Sequence, residues 1–247
     1  MASRAKILIS LIDRKEKTPC HRGHRIGDCY DFDSERGNLC PMAAHVAFPY
    51  IDILRYGGQI PGNMKNRAVF SCPDVDTINV FQIDKIEESE TERLRLVPLS
   101  LKDRGVIYSI GSKPQVARYM RFDTLQSMED AQQLILQLSS WKNKGWIAYE
   151  KDSGKAAGVI ALKGSQEEQV NDVTLFLDEP FWNRHYASEL MDWAAKNTME
   201  LTGRNILEAY VVKSNTACMT MLDHQGFDLI RQWDLPDVSL MIYRKSC

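Results

Sequence analysis

The segment that most limits how this chain can fold runs from Asn171 to Glu189, NDVTLFLDEPFWNRHYASE. Val173, Leu175 and Leu177 alternate with Thr174 and Phe176, the period of a strand buried on at least one face. Asp178, Glu179 and Pro180 end that strand, and from Ala187 the apolar residues change step. Ala187, Leu190, Met191, Ala194 and Thr198 fall at helical spacing, with Glu189, Asp192 and Lys196 on the other side. A strand that feeds straight into a helix leaves the first backbone N–H groups of that helix unpaired. With the positive end of the helix dipole they make an anion site, to which Arg184 adds a cation. Taken alone, such a unit is ordinary α/β core. The surrounding chain sharpens its meaning.

A chain of 247 residues suffices for one large domain or two modest ones, each with a real core. The net charge of −2 is spread evenly, so no basic half or tail points to nucleic acid or an anionic membrane. The first apolar run, Ile7–Ile12, is too short for the core of a secretion signal. No stretch approaches the roughly 20 apolar residues that span a bilayer. Cys20, Cys29, Cys40, Cys72, Cys218 and Cys247 are therefore expected as reduced thiols, in a soluble cytoplasmic protein.

Composition divides the chain near residue 88. Residues 1–88 read as a small α+β domain. It opens with a strand at Lys6–Ile12 and a Lys- and Arg-rich turn, followed by a short strand within His24–Phe32. A helix from Pro41 carries Met42, Val46, Tyr50 and Leu54 on one face, with Pro49 expected to kink it. Strands follow at Val69–Cys72 and Asn79–Ile86. The acidic run Glu87–Glu92 lacks apolar residues and is expected as a linker, so that residues 89–247 fold independently. This second domain reads β-α-α-β-β-β-α-β-α-β-β. Ser127 and Asp130 form a capping box before a helix, and Ala156–Lys163, Val170–Leu177 and Ile206–Val212 are strands. Asn215 is an N-cap, and Gly203 and Gly226 are helix stops.

Four segments of this domain, TERLRLVPLSLKD, PQVARYMRFDT, FLDEPFWNRHYASEL and NTACMTMLDHQGF, resemble stretches of the GNAT superfamily of acetyltransferases in order and spacing. The likeness covers about residues 91–235 and lies in the branch of ribosomal-protein N-terminal acetyltransferases. It implies a GNAT fold, α+β to α/β in class. Helices flank a central mixed sheet whose two middle strands splay to admit acetyl-CoA. It also implies transfer of the acetyl group to a primary amine, a protein N-terminus or a small molecule, by direct attack in a ternary complex. Acetyl-CoA is the implied cosubstrate, and homodimerisation stays open.

The resemblance also assigns residues. CoA is expected at Trp182, Asn183, Arg184, His185, Tyr186, Ala187 and Ser188, its diphosphate near Asn183–Ala187 with Arg184 bonding phosphate directly. The family pattern has glycines where this chain carries Asn183 and His185, while Ala187 keeps the final small position. His185 either crowds the diphosphate or pairs with it when protonated. Leu175, Phe176 and Leu177 are expected to offer backbone N–H groups to the cosubstrate and the oxyanion where their strand bulges away. Asp172 is expected as catalytic base, and Cys218, at a frequent serine position, as the group facing the departing thiolate. Asn215 is expected to touch the CoA arm. The tyrosine that many members carry seven residues later is Leu222 here, which has no proton to give. These departures keep an alternative in view, a CoA-binding or ligand-sensing protein that retains the fold without turnover.

The first domain resembles a small uncharacterised bacterial family. The likeness rests on Cys20, Gly23, His24, Gly27 and Asp28, the Leu39-Cys40-Pro41 before the helix, the LRYGG after it and Cys72-Pro73-Asp74. Cys20, His24, Cys40 and Cys72 are zinc-ligand types, yet their spacing is no paired CxxC. No metal is expected, and buried cysteines packing a small core explain them.

Overall fold

The computed structural model describes residues 5–15 and 18–247, so the basic turn expected after the first strand lies partly outside the described residues. The first unit comprises β1 (Ile7–Arg14), β2 (Cys29–Asp31), α1 (Phe32–Glu35), α2 (Pro41–Arg55), β3 (Arg67–Ser71) and β4 (Asn79–Lys85). Its strands pair antiparallel in the order β2-β1-β4-β3.

Ile7, Ile9 and Leu11 join Ala43, Ala47, Ile51, Leu54, Phe70 and Phe81 in a core between this sheet and α2. Leu54 of the expected face of α2 is in this core, with Val46 and Tyr50 packed against it, but the centre of the buried face is shifted to the alanines. Met42 is 44% exposed, and Val46 and Tyr50 are half-buried. Alanines, neutral in a count of bulky residues, let the helix lie close to β3 and β4. Pro49 sits on the exposed side, where water can meet the carbonyl it leaves unpaired, and the helix continues to Arg55.

Cys20, His24, Cys40 and Cys72 line one small cavity in this unit. His24 has both ring nitrogens engaged, with Cys40 N–H donating to Nε2 at 3.0 Å and the Tyr30 hydroxyl at 2.8 Å from Nδ1. Cys72 Sγ donates to the Thr77 carbonyl and accepts from Asn79 N–H. Among the described residues no group of three or more His, Cys, Asp or Glu is placed to hold a metal ion.

The second unit contains β5 (Ser89–Glu90), β6 (Leu94–Pro98), α3 (Arg104–Gly111), α4 (Pro114–Ala117), α5 (Met128–Ser139), β7 (Asn143–Glu150), β8 (Ala156–Gly164) and β9 (Val170–Leu177). It continues with α6 (Tyr186–Thr202), β10 (Ile206–Val212), α7 (Thr216–His224), β11 (Asp228–Asp234) and β12 (Ser239–Ser246). Eight strands lie in the order β11-β12-β10-β9-β8-β7-β6-β5. Only β9 and β10 run parallel, and every other neighbour pair is antiparallel. Leu190, Met191 and Ala194 of α6 pack on one face, and Ile107, Leu134 and Leu138 of α3 and α5 on the other. Ser127 and Asp130 make the capping box at the start of α5. No helix among the described residues is long and apolar enough to cross a membrane.

The acidic run is no bare linker. Ser89 and Glu90 pair with β6, and Ser89 Oγ accepts from Trp193 Nε1 at 2.9 Å. The two sheets also meet elsewhere. β1 is buried on both faces, because Leu8, Ser10 and Ile12 face Leu99, Leu101 and Leu136. Beside them Gln82 Nε2 donates to the Ser139 carbonyl at 3.1 Å, and Gln82 Oε1 accepts from Trp141 N–H at 2.9 Å. Arg67, 4% exposed, pairs with Asp84 at 2.7 Å and donates to the carbonyls of Trp141 and Asn143 at 2.9 and 2.6 Å.

Removing that guanidinium leaves a carboxylate and two carbonyls without their donor. Arg67→Ala is therefore expected to cost about 3–5 kcal/mol, measured as a lower urea midpoint at unchanged slope. A loss below about 1 kcal/mol would show that the seam carries little of the stability.

Candidate active site

The parallel ladder between β9 and β10 is short. Val170, Asn171 and Asp172 pair with Ile206, Leu207 and Glu208, and beyond them the strands part. On its other side β9 stays in unbroken register with β8 from Asn171 to Leu177, so it carries no bulge there. Asp178 N–H donates to the Ala157 carbonyl, and Ser165 N–H to the Val170 carbonyl. These two bonds set the phase of the β8–β9 ladder. Thr174 and Phe176 exchange bonds with β8, while the N–H and C=O groups of Leu175 and Leu177 face the gap left by β10. Of the three donors expected from sequence, Phe176 is therefore turned into the sheet. Gly158, opposite Leu177, permits this closeness, since a Cβ there would lie 2.3 Å from the Phe176 carbonyl oxygen.

The closed end of the gap is pinned. Asn171 is fully buried, and its Nδ2 donates to Thr198 and Thr202 hydroxyls of α6 at 2.8 and 2.7 Å. Asp172 accepts two bonds from Arg121 at 2.5 and 2.7 Å and lies 3.2 Å from Lys163. These contacts fix the carboxylate between the loop at Arg121 and strand β8. Opposite it, Glu208 is 3% exposed; Arg244 Nε donates to it at 2.5 Å, and so does the Tyr210 hydroxyl. Burial, and then the Glu208 acceptor, push the Tyr210 phenol up to about 12.

The cleft in the gap is lined by Thr174, Leu175, Tyr210, Cys218, Leu222 and the loop residues Tyr119–Phe122. Thr174 Oγ1 is buried there without a hydrogen-bond partner. Burial pushes the Cys218 thiol up to about 11, so it stays protonated across the neutral range. Asn215 lines the same cleft and caps α7, accepting from Cys218 N–H at 3.2 Å. Leu222 is 1% exposed in the core. Sequence reasoning missed Tyr210, Arg121, Lys163 and Thr174. Tyr210 was within reach, since it stands two residues beyond Glu208, but only once β10 is known to lie beside β9.

At the open end β9 passes through a 3-10 turn, Glu179–Phe181, into α6. Trp182 is partly exposed and ties the turn back, its Nε1 donating to the Leu177 carbonyl at 2.9 Å. Asn183 and His185 both have left-handed backbones, φ 56° and 61°. That conformation favours glycine, with asparagine and histidine among the better-tolerated exceptions. Among the described residues, the amide groups of Asn183, Arg184, His185, Tyr186, Ala187 and Ser188 donate to no acceptor in the chain, and His185 makes no side-chain cap. Arg184 is exposed, and within the chain it has a carboxylate partner. It pairs with Glu150 at 2.5 Å and lies over the Phe181 and Tyr186 rings. Glu150 also accepts from the Tyr186 hydroxyl and Ser153 at 2.6 Å each, and these two bonds, foremost Ser153, hold its carboxyl below the usual range. Arg93 completes the brace, bonding Glu189 at 2.7 Å and the Arg184 carbonyl at 3.0 Å.

A sheet opened between its only parallel pair, ending in a left-handed loop of bare amides, coincides with a family match. Residues 93–228, more than half of the chain, match the model of the acetyltransferase (GNAT) domain. The chain belongs to the GNAT acetyltransferase family. It is 23% identical over 152 residues to an uncharacterised N-acetyltransferase, YoaA, of Bacillus subtilis strain 168, covering 58% of this chain and 86% of that one. Among solved structures it resembles a GNAT-family acetyltransferase from Bacillus anthracis, with TM-score 0.57 and 16% identity over 65% of this chain and 98% of the other. It also resembles spermidine N-acetyltransferase from Vibrio cholerae in complex with CoA and spermine, with TM-score 0.56 and 10% identity over 62% and 95%. The apo ribosomal L7/L12 α-N-protein acetyltransferase RimL gives TM-score 0.54 and 13% identity over 66% and 96%.

The left-handed backbone of this GNAT loop generates a test. A β-branched residue at 185 should cost about 1–2 kcal/mol relative to glycine, so His185→Val should melt below His185→Gly. Equal urea midpoints would show that the loop relaxes out of that conformation.

Proposed function

We propose that the protein transfers an acetyl group from acetyl-CoA to a primary amine by direct attack in a ternary complex. The observation that carries this reading is the early end of the β9–β10 ladder, which leaves the polar edge of Leu175 and Leu177 facing a cleft. The residues present fit the cosubstrate. The free amides of Asn183 to Ser188 suit a diphosphate at a helix start. The Leu175 and Leu177 N–H groups suit the amide-bearing arm and the oxyanion, and Asn215 stands beside that path. When bound, acetyl-CoA supplies the activated thioester. The solved complex of the Vibrio cholerae enzyme with CoA supports this assignment.

The attacking amine has to be neutral, so its proton needs an exit. Asp172 positions Arg121 and the cleft wall. The proton leaves by a relay: the Tyr210 oxygen takes it from the amine as the hydroxyl's own proton passes along its hydrogen bond to the Glu208 carboxylate. Cys218 is a neutral, weakly donating wall of the cleft, and water at the cleft mouth protonates the departing thiolate. A protein N-terminus, as in the ribosomal-protein branch, and a small-molecule amine are the acceptor classes. Residues 89–247 carry this chemistry and residues 1–88 form a small α+β unit that does none of it. The six free thiols suit the cytoplasm.

Acetyl-CoA at many times its dissociation constant should raise stability by about 2–4 kcal/mol. Over a mixture of amines it should release free thiol, and Tyr210→Phe should lower kcat about 100-fold with the acetyl-CoA KM unchanged. Stabilisation without thiol release would favour a sensing protein. No melting shift at millimolar acetyl-CoA would overturn both readings.

A further inference from the structure

The seam between the two sheets encloses a second cavity, of about 170 Å3, which shares no lining residue with the acetyl-transfer cleft. Its walls are Lys144 and Trp146 of β7, Trp193 of α6, Pro98 and Leu99, and charged residues from both units. The carboxylates around it are matched. Asp84 pairs with Arg67, Glu87 with Lys85, Glu88 with Arg95 and Glu200 with Lys65. Lys144 differs from them. The residue is only 8% exposed, yet among the described residues its ammonium meets no carboxylate, and its one acceptor is the Lys65 carbonyl. An ammonium has three donors, and burying it without a counter-charge is unfavourable.

A second observation falls on the same place. Of the four described non-glycine residues with left-handed backbones, two lie in the loop before α6, and Asn66 and Trp141 lie at this seam. Asn66 lines the cavity, and the Trp141 carbonyl accepts from Arg67. A left-handed tryptophan is unfavourable, and such strain concentrates at ligand sites.

We propose that this cavity binds a small monocarboxylate, whose carboxylate pairs with Lys144 and whose short apolar body lies against Trp146 and Leu99. One unmatched positive charge accommodates one negative charge. A phosphate dianion would bring an excess of negative charge beside Asp84, Glu87 and Glu200. The tryptophan pair, with centroids 5.0 Å apart, and Leu99 give the ligand's carbons an apolar wall.

The proposal has a pH signature. Burial, with Arg67 and Lys65 adding to it against Asp84 and Glu87, brings Lys144 down to about 8. Glu200 faces the cavity from α6, already paired with Lys65. A bound carboxylate favours the ammonium, so binding takes up a proton once the free amine has lost its own. Affinity is therefore flat below pH 8 and falls by up to about tenfold per pH unit above it.

The test uses the full chain with isobutyrate, its neutral isostere isobutyramide, and inorganic phosphate, at constant ionic strength. It reads thermal shift and the fluorescence of the tryptophan pair. Isobutyrate should raise the melting temperature and change the fluorescence, with affinity falling above pH 8, whereas isobutyramide and phosphate should do neither. Lys144→Met should abolish the response, with Lys144→Gln as the second variant should methionine impair folding. A response that survives both substitutions, equal binding of isobutyramide, pH-independent affinity, or no response at tens of millimolar isobutyrate overturns the proposal. Binding of phosphate in place of isobutyrate overturns the monocarboxylate class. None of these outcomes depends on acetyl-CoA, so failure here is distinguishable from failure of the acetyltransferase reading.

Discussion

The architecture of the catalytic unit depends on a ladder that stops. β9 and β10 are bonded at three residue pairs and then diverge, which leaves backbone groups of Leu175 and Leu177 without strand partners inside a sheet. Unpaired backbone polar groups are unfavourable in a protein interior. The gap persists because its closed end is held from several directions. Asn171 is tied to α6, Asp172 to Arg121 and Lys163, and Glu208 to Arg244 and Tyr210. Gly158 removes the one side chain that would push β9 away from β8 and back toward β10. The strands are thereby open at the end where the helix α6 begins, so the open edge and the bare amides lie along one path.

The loop before α6 carries the same logic in backbone strain. Asn183 and His185 take conformations that glycine accepts most easily, and they are held there by bonds from outside the loop. Arg93 grips Glu189 and the Arg184 carbonyl, and Glu150 gathers Arg184 and Tyr186. A family position that ordinarily needs glycine is thus filled by side chains without loss of the backbone shape. Both side chains are exposed.

What was legible in the sequence was local. The alternation through β9, the capping box of Ser127 and Asp130, the Asn215 cap and the limits of β10 depend on residues a few positions apart, and they were read directly. What was not legible depended on partners far along the chain. The partners of Arg184 and Asp172 could not be foreseen, because nothing local announces Glu150 and Arg121 lies 51 residues from Asp172. The face of α2 was read partly off centre, with Leu54 in the core but Met42 exposed, because alanines carry no weight in a count of bulky side chains. The two units were read as loosely linked because the acidic run drew attention, whereas the apolar contact is made by the second face of β1.

The central claim is that the N–H groups of Leu175 and Leu177, and not that of Phe176, receive the cosubstrate. Hydrogen exchange resolved to single amides, with and without acetyl-CoA, tests it most directly. The account predicts that Leu175, Leu177 and the amides from Asn183 to Ser188 exchange readily in the free protein and slow at least tenfold on binding. Phe176 should already be slow and change little. Protection confined to Phe176, or binding that leaves Leu175 and Leu177 unaltered, would contradict it.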